Sequence, residues 1–402
     1  MRLRREHGQG STEYLGMVAV AALLVGSVAF AVVGSSDQIR SSVESGICLI
    51  VTLGDGDCGD PSAGGGPTEA PDRLPTYMDP SLTPEQRATL GNYAALGDSI
   101  PSGEGGSHYA EDTDVDREAL EQRYFEDKDR PPTAGFPFGP FTYNGPDPYS
   151  NMCHRSTGAY SQRVADTYEF GGDRFAFRAC SGAVIDDFYT TKSAADPDKP
   201  WLGNDGEDAQ KDYADEHTTL ITFSIGGNDA DFAGTLQGCI GAGLNPFDTC
   251  SGDDEKKETR TLIDAVGPRL TQLLNDMRQK APNARIIVVG YPRFFAYEPD
   301  LIFDGTQIDK GDQQWINEET RHMNDVMSQA VEDAGGARRG FEFVDVNDAF
   351  EGCEIGKKNP CMHNLENGFA DGKLFDNGSY HPNDKGHERL ATMVEEQIRK
   401  GG

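Results

Sequence analysis

Four short polar motifs, far apart in the chain, contain the residue types that acyl transfer to a serine requires. They are Gly97-Asp98-Ser99, Cys180-Ser181-Gly182, Gly226-Gly227-Asn228-Asp229 and Ser379-Tyr380-His381-Pro382. A serine hydroxyl attacks an ester when a neighbouring base takes its proton, and converging N–H groups stabilise the oxyanion that forms. Each motif is weak by itself, because Gly-Asp-Ser is common and a histidine before proline is usually a surface or helix-capping residue. Their chemistry becomes specific if the fold brings all four together.

The predicted secondary structure explains how these motifs meet. From about residue 90, apolar runs predict strands over residues 93–96, 174–178, 218–225, 285–289 and 341–346. Helical periods predict helices after Ser156 through Tyr168 and over residues 258–280, 312–334 and 383–400. Near-continuous apolar strands separated by helices indicate an α/β fold, a five-stranded parallel sheet with helices on both faces. Three motifs follow strands and the fourth precedes the last helix, so we expect all four at the carboxyl edge of the sheet, where ligands bind.

A strongly acidic composition excludes one large class of function. The 402 residues contain 36 Lys and Arg against 67 Asp and Glu, which gives a formal net charge of −31. Such a chain repels phosphate backbones, so nucleic-acid binding is not expected. No cysteine pair has the C-x-x-C spacing of a zinc or redox site, and Asp55 and Asp57 lack the closing Glu of a calcium loop. We therefore predict no metal and no cofactor.

Eight cysteines, an even number mostly in loop-like contexts, favour disulfides and an oxidising compartment outside the cytoplasm. Sequence proximity is the basis for pairing them, and the even number alone allows many other pairings. The pairs that proximity favours are Cys48–Cys58, Cys239–Cys250 and Cys353–Cys361. Cys153 and Cys180 then remain.

The N-terminus predicts how the chain reaches that compartment. Residues 14–34 carry no charge and are mostly Ala, Val, Leu and Gly, which is long enough to span a bilayer. Arginines precede this transmembrane segment and an acidic chain follows it, so we expect a cytoplasmic N-terminus and an extracytoplasmic body. Gly8, followed by Gln9, Glu13 and Tyr14, resembles the type III, prepilin-like signal of tight-adherence pilins, which is cut after the glycine, so prepilin peptidase is a candidate partner. An uncleaved signal anchor is the alternative.

Composition divides the chain into three predicted parts. Residues 1–34 are the signal and membrane anchor, residues 35–89 an extracytoplasmic linker, and residues 90–402 the catalytic domain. Residues 54–85 are rich in glycine and proline, which suits a semi-extended spacer without a core. We therefore expect the domain at the extracytoplasmic face, either anchored to the membrane or released.

The four motifs resemble those of the SGNH (GDSL) hydrolases, a superfamily of serine esterases and lipases with a three-layer, flavodoxin-like α/β/α fold. Here the first motif continues through Ser102, Gly103 and Glu104 to Gly105 and reads G-D-S-x-x-S-G-E-G, which is similar to secreted actinobacterial esterases. The resemblance covers roughly residues 90–400. Those esterases carry three disulfides, which fits the pairs Cys153–Cys180, Cys239–Cys250 and Cys353–Cys361.

This resemblance implies a role for each motif. Ser99 is the nucleophile, and His381 is the base that takes its proton and returns it to the leaving alcohol. The implied oxyanion donors are the backbone N–H groups of Ser99 and Gly182 and the side-chain amide of Asn228. Glu104, just past the nucleophile, is interpreted as structural rather than catalytic.

The residue that orients the histidine departs from the family pattern. Most of the superfamily places an Asp three residues before the histidine, where this chain has Gly378. Asp376 and Asp384 are nearby but at the wrong offset. Some of the close esterases use a backbone carbonyl at that offset, so we expect a Ser–His dyad in which the Gly378 carbonyl holds His381.

The predicted function is an extracytoplasmic serine esterase or lipase that acts on a lipid or a small acyl ester. A carbohydrate-ester deacetylase is the alternative, because the motifs specify acyl transfer and leave the alcohol open. A pilus-associated subunit with a hydrolase-like domain is a further alternative, which the four intact motifs disfavour. Three insertions, residues 106–150, 230–257 and 291–315, carry aromatic side chains that either line an acyl-binding wall or pack beneath long loops.

Overall fold

A five-stranded parallel sheet forms the centre of the computed structural model, which describes residues 74–114, 152–191, 207–243, 249–300, 306, 308–365 and 378–401. The strands are β1 Asn92–Gly97, β2 Phe175–Phe177, β3 Thr218–Ser224, β4 Arg285–Val289 and β5 Phe341–Val344. Their spatial order is β2-β1-β3-β4-β5, and every neighbouring pair is parallel. The predicted five-stranded sheet is confirmed. Its strand order reverses between β1 and β3, and ligands bind beside such a switch point.

Helices connect the strands and cover both faces of the sheet. They are α1 Pro84–Thr89, α2 Ser99–Ser102, α3 Tyr160–Thr167, α4 Phe232–Gly243, α5 Asp253–Lys280, α6 Lys310–Asp333 and α7 Asp384–Lys400. Short 3-10 helices cover Thr76–Met78, Glu111–Thr113, Gly172–Arg174, Ile185–Phe188, Gln210–Tyr213 and Gly336–Arg339. The sequence pattern predicts α3, α5, α6 and α7. It misses α4, whose glycines lower its helix propensity.

Two hydrophobic cores lie on opposite faces of the sheet, because successive strand residues point to opposite sides. On β1, Tyr93 and Ala95 belong to one core, together with apolar residues of α3 and α7. Ala94 and Leu96 belong to the other core, together with apolar residues of α5 and α6. The result is a layer of helices on each side of the sheet, which holds the carboxyl ends of the strands at one fixed edge.

Disulfides tie three loops of the described chain. The structure contains Cys153–Cys180, Cys239–Cys250 and Cys353–Cys361, the three pairs that the family resemblance implies. The first joins the segment before α3 to the motif that contains Gly182. The predicted Cys48–Cys58 pair lies outside the described residues.

The predicted N-terminal features also lie outside those residues, namely the anchor at residues 14–34 and the signal around Gly8. Within the part of the chain that the structure describes, no helix combines the length and the apolar character that crossing a membrane requires. The compact unit formed there starts at Leu74. Helix α1 belongs to this unit, and its Ala88 is part of the core on the α3 and α7 side.

Candidate active site

Ser99 is the first residue of the single-turn helix α2, directly after the turn at Asp98 that follows β1. The Asp98 side chain caps this helix by accepting a hydrogen bond from the Ile100 N–H at 3.1 Å. Gly103, with a φ of 93°, ends the helix in the left-handed region, which glycine adopts without steric cost. A cap at one end and a glycine at the other therefore hold the Ser99 hydroxyl at the edge of the sheet.

Gln210 completes the turn by bonding both backbone groups of Gly97. Its side chain accepts from the Gly97 N–H at 2.6 Å and donates to the Gly97 carbonyl at 2.9 Å. Buried backbone groups need such partners, and the last residue of β1 finds them in a side chain distant in sequence. No motif in the sequence indicates this role.

His381 reaches Ser99 from the turn that precedes α7. Its Nε2 atom lies 2.9 Å from the Ser99 Oγ, and its Nδ1 atom lies 3.1 Å from the Ser379 carbonyl oxygen. A carbonyl oxygen can only accept, so Nδ1 carries the proton in this arrangement. Nε2 then presents its lone pair to the serine hydroxyl, which is the tautomer that a general base requires.

The prediction that the Gly378 carbonyl orients His381 is wrong by one residue. The Gly378 carbonyl accepts the backbone N–H of His381 at 3.0 Å and so closes the turn. Tyr380 has a φ of 62°, and its hydroxyl donates to the Thr306 carbonyl at 3.0 Å. This left-handed residue redirects the chain, so that the Ser379 carbonyl faces the imidazole instead.

Asp384, one of the two carboxylates near the histidine in sequence, has other partners. It accepts hydrogen bonds from the Ser107 N–H at 2.9 Å and from the Ser107 hydroxyl at 2.6 Å. Burial opposes its ionisation, but the Ser107 bonds outweigh this effect and leave the pKa of Asp384 below its ordinary value. Asp376 lies outside the described residues.

The predicted oxyanion residues line the same cavity as Ser99 and His381. Gly182 has a φ of 71°, in the left-handed region. Asn228 follows β3 through Gly226 and Gly227, and its side-chain amide donates to the Ala183 carbonyl at 2.8 Å. The Cys180 N–H donates to the Gly97 carbonyl at 2.9 Å, which ties this segment to the end of β1. All four sequence motifs therefore meet at the switch point.

The cavity has a volume of about 580 Å³ and a largely apolar wall. One face of α4 contributes Phe232, Leu236 and Ile240 at a spacing of four residues, and Phe294 and Leu365 complete the wall. Both interpretations of the aromatic side chains in the three insertions apply, since some line the cavity and others pack in the core. Phe294 lines the cavity, whereas the neighbouring Phe295 is buried in the core.

Glu104 is buried close behind the site, with 1% of its surface exposed. Its Oε2 atom lies 2.6 Å from the His154 Nδ1, and its Oε1 atom accepts from the Tyr109 hydroxyl at 3.2 Å. Burial alone would raise the pKa of Glu104, but the bond and charge of His154 outweigh burial, and the pKa lies below its ordinary value. These contacts fit the structural role that the sequence analysis assigns to Glu104.

His387, a buried residue at the start of α7, should make the protein sensitive to acid. Burial lowers the pKa of His387 to about 4, from an ordinary value of 6.5. The stability that depends on neutral His387 is therefore present above pH 6.5 and lost as the pH falls to 4, which amounts to about 3 kcal/mol. Denaturant unfolding at pH 7.5 and pH 4.0 measures this effect. Between these two pH values, the free energy of unfolding of His387→Gln should fall by about 3 kcal/mol less than that of the wild type.

The control for this measurement is His217→Gln, because the His217 side chain is 74% exposed. We expect it to lose as much stability as the wild type over the same pH interval. An equal loss in His387→Gln would mean that His387 titrates alike in the folded and unfolded states.

A serine hydrogen-bonded to a histidine, beside N–H donors at the carboxyl edge of a parallel sheet, is the site of a serine hydrolase. The chain matches the GDSL-like Lipase/Acylhydrolase family over residues 95–389, and it belongs to that family. The protein is accordingly a carboxylic ester hydrolase of the GDSL lipase and esterase type.

Individual relatives agree with this assignment. Lipase 1 of Streptomyces coelicolor is 30% identical over 234 residues, which cover 58% of this chain and 72% of the relative. A lipase of Streptomyces rimosus is 29% identical over 244 residues, 60% of this chain and 76% of the relative. Among solved structures, phospholipase A1 from Streptomyces albidoflavus NA297 aligns with a TM-score of 0.52 and 25% identity, covering 76% of this chain and 98% of that one.

Proposed function

We propose that the protein is a serine esterase or lipase that hydrolyses lipid or small acyl esters outside the cytoplasm through an acyl-enzyme on Ser99. The observation that carries this proposal is the hydrogen bond of 2.9 Å between the Ser99 Oγ and the His381 Nε2 beside an apolar cavity. The lipases and the phospholipase A1 that the chain resembles support an ester of a fatty acid as the substrate.

The proposed reaction has two symmetrical halves. His381 Nε2 takes the Ser99 proton while Oγ attacks the ester carbon, and the alcohol leaves with that proton to give the acyl-enzyme. A water molecule then gives its proton to Nε2 and attacks the acyl carbon, which releases the carboxylic acid and returns the proton to Oγ. The N–H groups of Ser99 and Gly182 and the amide of Asn228 stabilise the oxyanion of each tetrahedral intermediate. The Ser379 carbonyl holds the imidazole in the required tautomer throughout.

The cellular location is proposed from the sequence. We infer that residues 14–34 anchor the protein with its N-terminus in the cytoplasm, and that prepilin peptidase cleaves after Gly8. Three disulfides in the described chain support an oxidising, extracytoplasmic compartment. The mass of the N-terminal peptide from the membrane fraction tests the cleavage, because an intact Met1–Gly8 segment would contradict it.

A series of p-nitrophenyl esters tests the proposed substrate class. We expect kcat/KM to rise from acetate to esters of longer chains, because each CH₂ buried in an apolar cavity adds about 0.8 kcal/mol of favourable transfer free energy. The acyl-enzyme and its breakdown are measured by release of p-nitrophenol and of the acid. The comparison substrate is an acetylated sugar of the kind that a carbohydrate-ester deacetylase would use. A higher kcat/KM on acetylated sugar than on every p-nitrophenyl ester would favour the deacetylase over the lipase.

A further inference from the structure

Tyr291 connects two of the segments that surround Ser99. It follows β4 through Gly290 and lines the cavity. Its hydroxyl donates to the Asp98 carboxylate, and the same oxygen accepts the Gly227 N–H at 2.9 Å. One phenol oxygen therefore joins the residue before Ser99 to the residue before Asn228.

The position of Tyr291 is rigidly determined. The Asn324 side chain on α6 accepts from the Tyr291 N–H at 2.7 Å and donates to the Tyr291 carbonyl at 2.8 Å, and Asn324 is 3% exposed. The ring packs over Gly227, where an added Cβ would come within 3.2 Å of the ring carbon that bears the hydroxyl. Helix α6 thus fixes the backbone of Tyr291. The ring in turn contacts Gly227 and so holds the segment that follows β3.

Both groups that Tyr291 contacts control an oxyanion donor. Asp98 caps α2, so its position sets the direction of the Ser99 N–H. Gly227 directly precedes Asn228, which lines the cavity. The donors of an oxyanion hole act at 2.7–3.1 Å from the developing charge, so a small change in their spacing is costly.

We propose that Tyr291 is a positioning residue for the ester hydrolysis, because its hydroxyl sets the spacing between the Ser99 N–H and the Asn228 amide. This inference rests on the proposed function. It assigns to Tyr291 an effect on the transition state and no contact with the reacting atoms.

The electrostatics of Asp98 are consistent with this role. Burial raises the pKa of Asp98 to about 7, and the bond from Tyr291 opposes that rise. Without the phenol, Asp98 would keep its Ile100 contact but lose the partner of its second oxygen, and the Gly227 N–H would lose its acceptor. A buried polar group without a partner costs free energy, so we expect both segments to shift until Asp98 and the Gly227 N–H are satisfied again.

The test compares Tyr291→Phe with the wild type on one p-nitrophenyl ester. We expect kcat per titrated active site to fall by about 10- to 100-fold, somewhat less than the ~10²–10³ for a whole oxyanion donor, with KM changed less than twofold. Affinity for an alkyl boronic acid, which forms a tetrahedral adduct on serine, should fall by the same factor as kcat. Inhibition by the fatty acid product should stay within twofold of the wild type.

Tyr189→Phe is the matched control, because it removes a Tyr–Asp hydrogen bond, to Asp276 at 2.8 Å, in a residue that does not line the cavity. Its kcat should stay within twofold of the wild type.

If Tyr291→Phe does not fold, Asp98→Asn replaces it as the test variant. The oxygen of the introduced asparagine side chain can still accept from the Ile100 N–H, but its nitrogen cannot accept the Tyr291 proton. We therefore expect kcat and boronate affinity to fall together, by a smaller factor than in Tyr291→Phe.

Two results would overturn the inference. In the first, kcat and boronate affinity of the folded variant both stay within threefold of the wild type. In the second, product affinity falls as much as boronate affinity, which would mean that Tyr291 shapes the cavity and not the donors. A wild type that neither hydrolyses esters nor binds the boronate would instead contradict the proposed function, so the two failures are distinguishable.

Discussion

Ser99→Ala should retain less than about 1% of the wild-type kcat on any ester that the protein hydrolyses. A lost nucleophile usually costs several orders of magnitude in turnover, because the acyl-enzyme can no longer form. The fold should be unchanged, since the Asp98 cap and the Gly103 turn involve backbone groups that alanine keeps. The measurements are p-nitrophenol release at saturating substrate and thermal unfolding by circular dichroism.

Ser161→Ala is the matched control for this variant. Ser161 is a buried serine whose hydroxyl donates to the Pro101 carbonyl at 2.9 Å, and unlike Ser99 it does not line the cavity. It should keep kcat within about threefold of the wild type. More than about 1% residual activity in Ser99→Ala would show that another residue is the nucleophile.

His381→Gln should lower kcat by ~10⁴ or more, because Ser99 then has no base to take its proton. Asp384→Asn should stay within about tenfold of the wild type, a barrier change of about 1.4 kcal/mol or less. The physical reason for the contrast is that Nδ1 of His381 is held by the Ser379 carbonyl, whereas Asp384 is bonded to Ser107. Steady-state kinetics of both variants, with circular dichroism spectra, check this expectation.

Asp376→Asn extends the comparison to the second carboxylate near the histidine in sequence. Under the dyad it should also stay within about tenfold. A triad acid that is replaced by Asn can cost ~10⁴. A loss of that size in either Asp variant, with an unchanged spectrum, would show that a carboxylate orients His381 and that the site is a triad.

The sequence predicts the parts of this site that depend on strand order. Ser99 and Asn228 follow adjacent parallel strands, and the carboxyl ends of such strands lie at one edge whatever the loops do. Gly182 and His381 were predicted from their motifs, and both line the same cavity as Ser99. These assignments need strand order and short motifs but no knowledge of individual side-chain contacts.

The parts that could not be predicted depend on contacts between distant segments. The Ser379 carbonyl faces His381 because Tyr380 adopts a φ of 62°, which is uncommon for a residue other than glycine. Gln210 and Tyr291 each bond backbone groups of another segment, and an isolated glutamine or tyrosine carries no signal of such a partner. Helix α4 forms despite its glycines because Leu236 and Ile240 are buried against the core.

The distance along the chain between nucleophile and base has a consequence for biosynthesis. Ser99 and His381 are 282 residues apart, so at ~5–20 residues per second the ribosome makes the serine roughly 15–60 s before the histidine. A nascent chain that ends between Ser99 and His381 contains the nucleophile without its base. The histidine turn also immediately precedes α7, so docking of that last helix places the base. We therefore expect the nascent polypeptide to be inactive until synthesis has passed the catalytic histidine, and esterase activity to begin abruptly after that point.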